Sequence, residues 1–256
     1  MIKESFIFLN CIGEKKEKQI WSQGIKDWND FKNSSSIKGL SKKTKKICDA
    51  QITEASKALN KNNSSFFVDK LQKKHSWRLY ETFRNEACFF DIETSGNKKN
   101  DYMIAAGIFD GFNTKTMIKR INLNFNILEK ELRKYKLIVT FNGSSFDIPF
   151  LKKRYPLIVP KIPHIDLKHA CFSAGLKNKL KDIEKKFGIS RNPLIEKMNG
   201  GDVYRLWRMY FASGDEHYLR LLVEYNEEDA SNLKKIADFV IKELKNQLTN
   251  TKTFNN

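Results

Sequence analysis

The sequence is short of several residues that would settle its class at once. Its four cysteines, Cys11, Cys48, Cys88 and Cys171, form no C-x-x-C pair, which excludes a zinc knuckle and a disulfide scaffold. They read as reduced thiols of a cytosolic protein. The four histidines, His75, His164, His169 and His217, show no H-x-x-x-H spacing. No apolar run reaches the length of a membrane span, and the apolar stretch after Ser5 is too short for a secretory signal. No Gly-Lys-Ser/Thr loop is present, so no nucleotide cofactor is expected. Acids are outnumbered: 30 Asp and Glu face 47 Lys and Arg, a formal net charge of +17 in 256 residues. That excess favours polyanionic partners, above all nucleic acid, over neutral metabolites.

What is present is enough apolar and aromatic material for a core, at 40% hydrophobic and 12% aromatic. Residues 1–80 and 81–256 read differently. The first part holds 17 basic against 8 acidic residues and reads as short helices: Glu14 to Trp21, a turn capped by Asp27, Ser41 to about Leu59, and Phe66 to Phe83. Its lysines Lys38, Lys42, Lys43, Lys45 and Lys46 make it a candidate nucleic-acid-binding region, whose removal is expected to weaken binding.

From 81 onward, strands are expected at Ala87–Glu93, Tyr102–Phe109, Thr116–Leu123, Leu137–Phe141 and Ile162–Leu167. Helices are expected at Leu128–Tyr135, Phe146–Arg154, 176–187, 202–211, 216–224 and 227–248, with a disordered tail over 249–256. Three strands joined by tight turns, followed by alternating helix and strand, predict an α/β domain with a mixed five-stranded sheet flanked by helices, over 81–248.

Three acidic elements lie on that framework. In Phe90-Asp91-Ile92-Glu93, residues two apart share one face of a strand, with Cα atoms ~6–7 Å apart. Asp91 and Glu93 therefore point together, while Phe90 and Ile92 enter a core. Asp147 follows Asn142-Gly143-Ser144-Ser145-Phe146 at a helix start; capping is the alternative role, though Ser144 or Ser145 would cap equally well. Leu222, Tyr225, Asp229, Leu233, Ile236 and Val240 recur at helical spacing, which places Asp229 on an inward face with Tyr225 one turn earlier. No basic residue stands within a turn of Asp229 on that face. A buried carboxylate needs a partner, and a metal ion is the economical one. Hard Mg²⁺ or Mn²⁺ prefers carboxylate oxygens, and two ions about 3.5–4 Å apart suit in-line phosphodiester hydrolysis.

These residues resemble the three motifs, in order, of the DEDD 3′–5′ exonuclease superfamily of the ribonuclease-H-like fold. Phe-Asp91-Ile-Glu93-Thr is similar to the first motif and Asn142-x-x-x-Phe146-Asp147 to the second. Tyr225-x-x-x-Asp229 is similar to the third, in its tyrosine variant. The resemblance covers about 87–245 and is nearest to a little-characterised prokaryotic branch of predicted exonucleases. It implies that Asp91, Glu93, Asp147 and Asp229 hold two divalent cations and that Tyr225 orients the attacking water. Asp166 and Asn142 are possible auxiliary residues, and Lys177 and Lys179 possible contacts to the phosphate backbone. Leu9-Asn10-Cys11-Ile12-Gly13 resembles a helix–hairpin–helix element, with Cys11 where that pattern has its first glycine. The expected activity is thus a metal-dependent nuclease acting on DNA or RNA. A structure-specific endonuclease on the same fold and a non-catalytic nucleic-acid-binding protein are the alternatives.

Overall fold

A computed structural model describes residues 1–96, 98 and 100–253, the side chains of 250–253 excepted. The chain opens with three helices, α1 (Glu14–Trp21), α2 (Trp28–Asn33) and α3 (Lys42–Asn60). Their starts follow the chemistry of the sequence. Asp27 accepts from the amides of Asn29 and Asp30 in a capping box, and Ser41 accepts from Thr44. The helix expected over 66–83 is instead a broken series of turns: 3-10 segments at Ser64–Phe67 and Lys73–Leu79, then the short α4 (Tyr80–Phe83). Asp69 takes a left-handed conformation (φ 62°) between them, which no continuing helix allows.

A five-stranded mixed sheet follows. Its strands are β1 (Ala87–Thr94), β2 (Met103–Phe109), β3 (Thr114–Ile118), β4 (Leu137–Thr140) and β5 (His164–Asp166), in the spatial order β3-β2-β1-β4-β5. The first three pair antiparallel, while β4 and β5 run parallel to β1. Helices α5 (Phe125–Leu132), α6 (Asp147–Arg154), α7 (Leu167–Ser173), α8 (Leu180–Lys186), α9 (Pro193–Glu196), α10 (Gly200–Ser213) and α11 (Glu216–Thr253) complete the chain. The mixed sheet flanked by helices, with a helical N-terminal region, is the architecture expected.

Alternation along β1 divides the core. Cys88, Phe90 and Ile92 pack with Leu128, Leu132, Phe150 and Leu151 from α5 and α6 on one face. Ala87 and Phe89 turn to the other face and meet Leu233, Ile236 and Val240 of α11. Asp91 and Glu93 share the phase of Phe89, so they look toward α11.

Several boundaries differ from expectation. Strand β3 ends at Ile118 because Asn122 folds back, accepting from the Ile118 amide and donating to the Thr116 carbonyl. The next helix begins early, at Phe125, where Asn124 caps the amides of Asn126 and Ile127. Helix α7 was not foreseen; Asp166 caps it. The two C-terminal helices expected at 216–224 and 227–248 are one helix of 38 residues. Its polar stretch at 224–229 interrupts no hydrogen-bond ladder; it faces an acidic site and the loop before α9. The tail expected over 249–256 is helical to Thr253, and 254–256 lie outside the described residues.

The N-terminal region is not a tethered appendage. Ile20, Trp21, Trp28, Phe31 and Ile52 belong to the same buried cluster as Phe89, Val139, Leu233 and Val240. A buried ion pair fastens it: Arg78 Nη1 donates to Glu17 at 2.7 and 2.8 Å and to Ser5 Oγ at 2.6 Å. Glu17 in turn accepts from the amides of Phe6 and Ile7.

Candidate metal centre

Asp91, Glu93 and Asp229 converge. Each offers a carboxylate oxygen, and these oxygens lie within 4.8 Å of one another. Asp91 and Glu93 come from the end of β1 and Asp229 from the middle of α11, as the strand and helix periods predict. Gly107, opposite Asp91 on β2, is what lets the helix come this close. A side chain there would place its Cβ 2.5 Å from Asn226 Oδ1. Asn226 is fully buried and donates from Nδ2 to Asp91 Oδ2 at 3.1 Å, fixing the carboxylate. Sequence reading passed over Asn226; its place three residues before Asp229 on the same helix was the available signal.

Asp147 stands beside the trio. It is the first residue of α6, whose N-cap position, Phe146, supplies no side-chain cap. Asp147 Oδ1 accepts from the backbone amide of Ile92 at 3.1 Å, reaching across to β1 between the two acids. That bond ties Asp147 to β1, a role beyond helix capping. Tyr225, 5% exposed, lies one turn before Asp229.

The electrostatics are those of crowded anions. Burial pushes Asp91 and Glu93 well above the usual carboxylate range, and repulsion among the four acids adds to it. Burial carries Asp147 to about 7. Burial also raises Asp229 and the Tyr225 phenol, the latter further because Asp229, Glu93 and Asp91 surround it.

One expectation needs correction. Asp229 does have a basic partner, and it comes from far along the chain. Arg191, in the loop before α9, places Nη2 at 2.5 Å from Asp229 Oδ1. The same guanidinium grips Glu184 of α8 in a two-point bridge of 2.6 and 2.7 Å, and Asn232 also donates to Glu184. Burial opposes the charge on Arg191, but these carboxylates hold it protonated. A test confined to neighbours within one helical turn misses a partner 38 residues away.

Arg191 is shared with Glu184, so the four acids of the centre remain undercompensated. Their all-oxygen donor set suits a hard divalent cation. Asp91, Glu93 and Asp229 are the residues that would hold it, with Asp147 adjacent. Next to them an open cleft of about 390 Å³ is lined by Glu93, Phe146, Gly200 and Tyr204 among others.

The auxiliary residues have a different role. Asp166 caps α7 through Lys168 N and accepts from the amides of Asn142 and Ser144 at 2.8 and 2.9 Å. It therefore braces the turn that leads to Asp147 and is not in the acid trio. Asn142, left-handed at φ 63°, accepts from Lys168 Nζ and belongs to the same brace. His164 shares a 2.8 Å hydrogen bond with Thr140 Oγ1 beneath it. Of the lysines, Lys38, Lys42, Lys43, Lys46, Lys177 and Lys179 are exposed. Lys45 is not: it is 8% exposed, bridges Asp49 at 2.7 Å and lies over the Phe31 ring, so it is removed from the candidate contacts. Cys11 has a left-handed backbone, at φ 67°.

None of the curated proteins searched matches this chain. Among solved structures, it is similar to the family B DNA polymerase from the hyperthermophilic archaeon Pyrobaculum calidifontis, with 16% identity and a TM-score of 0.50. That likeness covers 60% of this chain and 24% of the polymerase, so the chain spans about a quarter of the protein it matches, and what is shared is the fold. No described helix is long and apolar enough to cross a membrane. Residues 88–241, more than half of the sequence and all four acids of the centre, match the family model RNase_H_2, and the chain belongs to the RNase_H superfamily.

Proposed function

We propose that this protein is a metal-dependent nuclease, a 3′–5′ exonuclease of the DEDD type in its tyrosine variant. The convergence of Asp91, Glu93 and Asp229 within 4.8 Å carries the reading, with Asp147 and Tyr225 beside them. Superfamily membership and the basic surface are consistent with a nucleic-acid substrate.

Two Mg²⁺ or Mn²⁺ ions would supply charge neutralisation and an activated water for in-line hydrolysis. The chain's own residues do the placing. Asn226 holds Asp91, the Ile92 amide holds Asp147 and Arg191 holds Asp229, so three of the four carboxylates would meet the ions already oriented. The Tyr225 phenol stays protonated at neutral pH and offers a donor to the attacking water. The polarity of cleavage rests on the resemblance of the motifs.

The test uses purified protein with Mn²⁺ or Mg²⁺ and DNA and RNA single strands labelled at either end, beside Asp91→Ala. Ladders shortening from the 3′ end, absent in Asp91→Ala, are expected. Internal cuts confined to branched DNA would replace the exonuclease reading with a junction-cutting one. Equal activity in Asp91→Ala would remove the site assignment.

A further inference from the structure

Helix α10 leaves the acidic cleft carrying a face that neither the core nor the acid centre uses fully. It begins at Gly200, where an added Cβ would stand 3.3 Å from Glu93 Oε2, so the helix start abuts the centre. Tyr204 lines the cleft with Glu93. Tyr204, Trp207, Arg208 and Phe211 then follow at helical spacing along one side.

The rings form a continuous run. Tyr204 stacks on Trp207 at 6.3 Å, Trp207 meets Phe211 at 5.1 Å, and Tyr102 of the loop before β2 lies 5.9 Å from Trp207. Cations are laid over these rings. Lys119 Nζ is 3.8 Å from the Tyr102 centroid, and Arg120 is 5.5 and 5.6 Å from Trp207 and Phe211. Arg208 is 5.8 Å from Tyr204. Arg120 reaches this position through a left-handed backbone (φ 66°). Trp207 anchors the run, buried and donating from Nε1 to the Lys119 carbonyl, whereas Phe211 is 40% and Met209 41% exposed. Arg205 on the same helix is tied to Asp202; Arg120 and Arg208 have no carboxylate partner among the described residues.

Aromatic faces interleaved with cations match single-stranded nucleic acid, whose bases stack while its phosphates are neutralised. From Tyr204 to Phe211 the helix rises about 10 Å, roughly three nucleotides at 3.4 Å each. We propose that the Tyr204–Phe211 face of α10, with Lys119 and Arg120, binds the single-stranded segment that leads into the acid cleft. The identity of that strand as substrate rests on the nuclease reading; the binding itself does not.

Binding is therefore measured on the full chain in EDTA, where no cleavage intervenes. The probes are fluorescent oligo(dT) and oligo(U) of roughly 12 nucleotides and a duplex of the same length. Arg120→Ala/Phe211→Ala should weaken binding of one or both single strands about tenfold and leave duplex binding unchanged. The two probes separate DNA from RNA. Unchanged single-strand affinity, or an equal loss on duplex, overturns the proposal. Should the double variant fail to fold by circular dichroism, Arg208→Glu on the exposed helix face replaces it. An affinity within error of the parent is again the overturning result. A strip-dependent affinity without nuclease activity would sink only the catalytic reading; full cleavage with strip-independent affinity would sink only this one.

Discussion

Arg191 sits between Glu184 and Asp229 with side chains of all three almost wholly enclosed. Removing one partner of such a group leaves charge stranded away from water, which costs about 3–5 kcal/mol. Arg191→Met should therefore lower the melting temperature in EDTA by some 6–20 °C, and Mg²⁺ should restore only part, because an ion relieves Asp229 but not Glu184. A melt within a degree of the parent would show the bridge to be dispensable. His164 supplies a pH dependence away from the acids. Burial, helped by Lys73 and Lys152 and opposed by Asp166, brings its imidazole from 6.5 down to about 4. The unfolded chain thus takes up this proton first as pH falls. The His164 contribution is full above 6.5 and is lost between 6.5 and 4, by roughly 3 kcal/mol at most, while Asp147, raised to about 7, shifts stability in the opposite sense over the same window. In urea unfolding at several pH values, the parent should lose stability relative to His164→Gln between pH 6.5 and 4; an identical pH dependence in the two would place the titration elsewhere. At this scale, Asp91, Glu93, Asp229 and Tyr225 were legible because strand and helix periods are local rules. Arg191 and Asn226 were not, because each acts through a neighbour that only the folded chain brings near.

Between elements, the decisive contact is α11 against β1 and β2. Gly107 is its gate, since any Cβ there meets Asn226 Oδ1 at 2.5 Å and the Asn226 carbonyl at 3.1 Å. Gly107→Ala should force the helix outward at a cost of about 1–3 kcal/mol. Cleavage should fall further than stability implies, by about a hundredfold, since Asp229 and Tyr225 would lift from Asp91 and Glu93. Steady-state kinetics at a temperature where the variant is fully folded makes the check, and parental turnover would mean that the helix spacing is not limiting. Strand positions could be read from apolar runs, and most helices from caps such as Asp27 and Ser41. The failures came where a side chain overrode the pattern: Asp69 breaking a helical period, Asn122 closing β3 early, Asp166 starting α7. Polar residues of α11 were mistaken for a break because they serve a site rather than solvent.

For the molecule as a whole, the common cluster of Trp21, Phe31 and Ile52 with Phe89, Leu233 and Val240 changes what truncation can test. Deleting residues 1–80 would uncover that core, so the remainder is expected to aggregate or melt without cooperativity rather than to fold as a weaker binder. A sharp calorimetric transition from the fragment would restore the picture of separable domains. The charge of the N-terminal surface is better tested in place, with Lys42→Glu, Lys43→Glu and Lys46→Glu combined. If these exposed lysines touch phosphates, affinity should drop and the slope of log affinity against log salt should shrink by about 2–3. An unchanged slope would assign nucleic-acid contact to other faces.

The hydrogen bond from Asn226 to Asp91 closes a loop of 135 residues. Contacts that distant form late, after most of the chain entropy has been surrendered. Chains caught part-way through refolding are therefore expected to hold strand β1 and its two acids with nothing opposite them. Recovery of catalysis becomes a clock for the last stage of folding: it should trail the return of helical signal, and the lag between them times the docking of a single long helix.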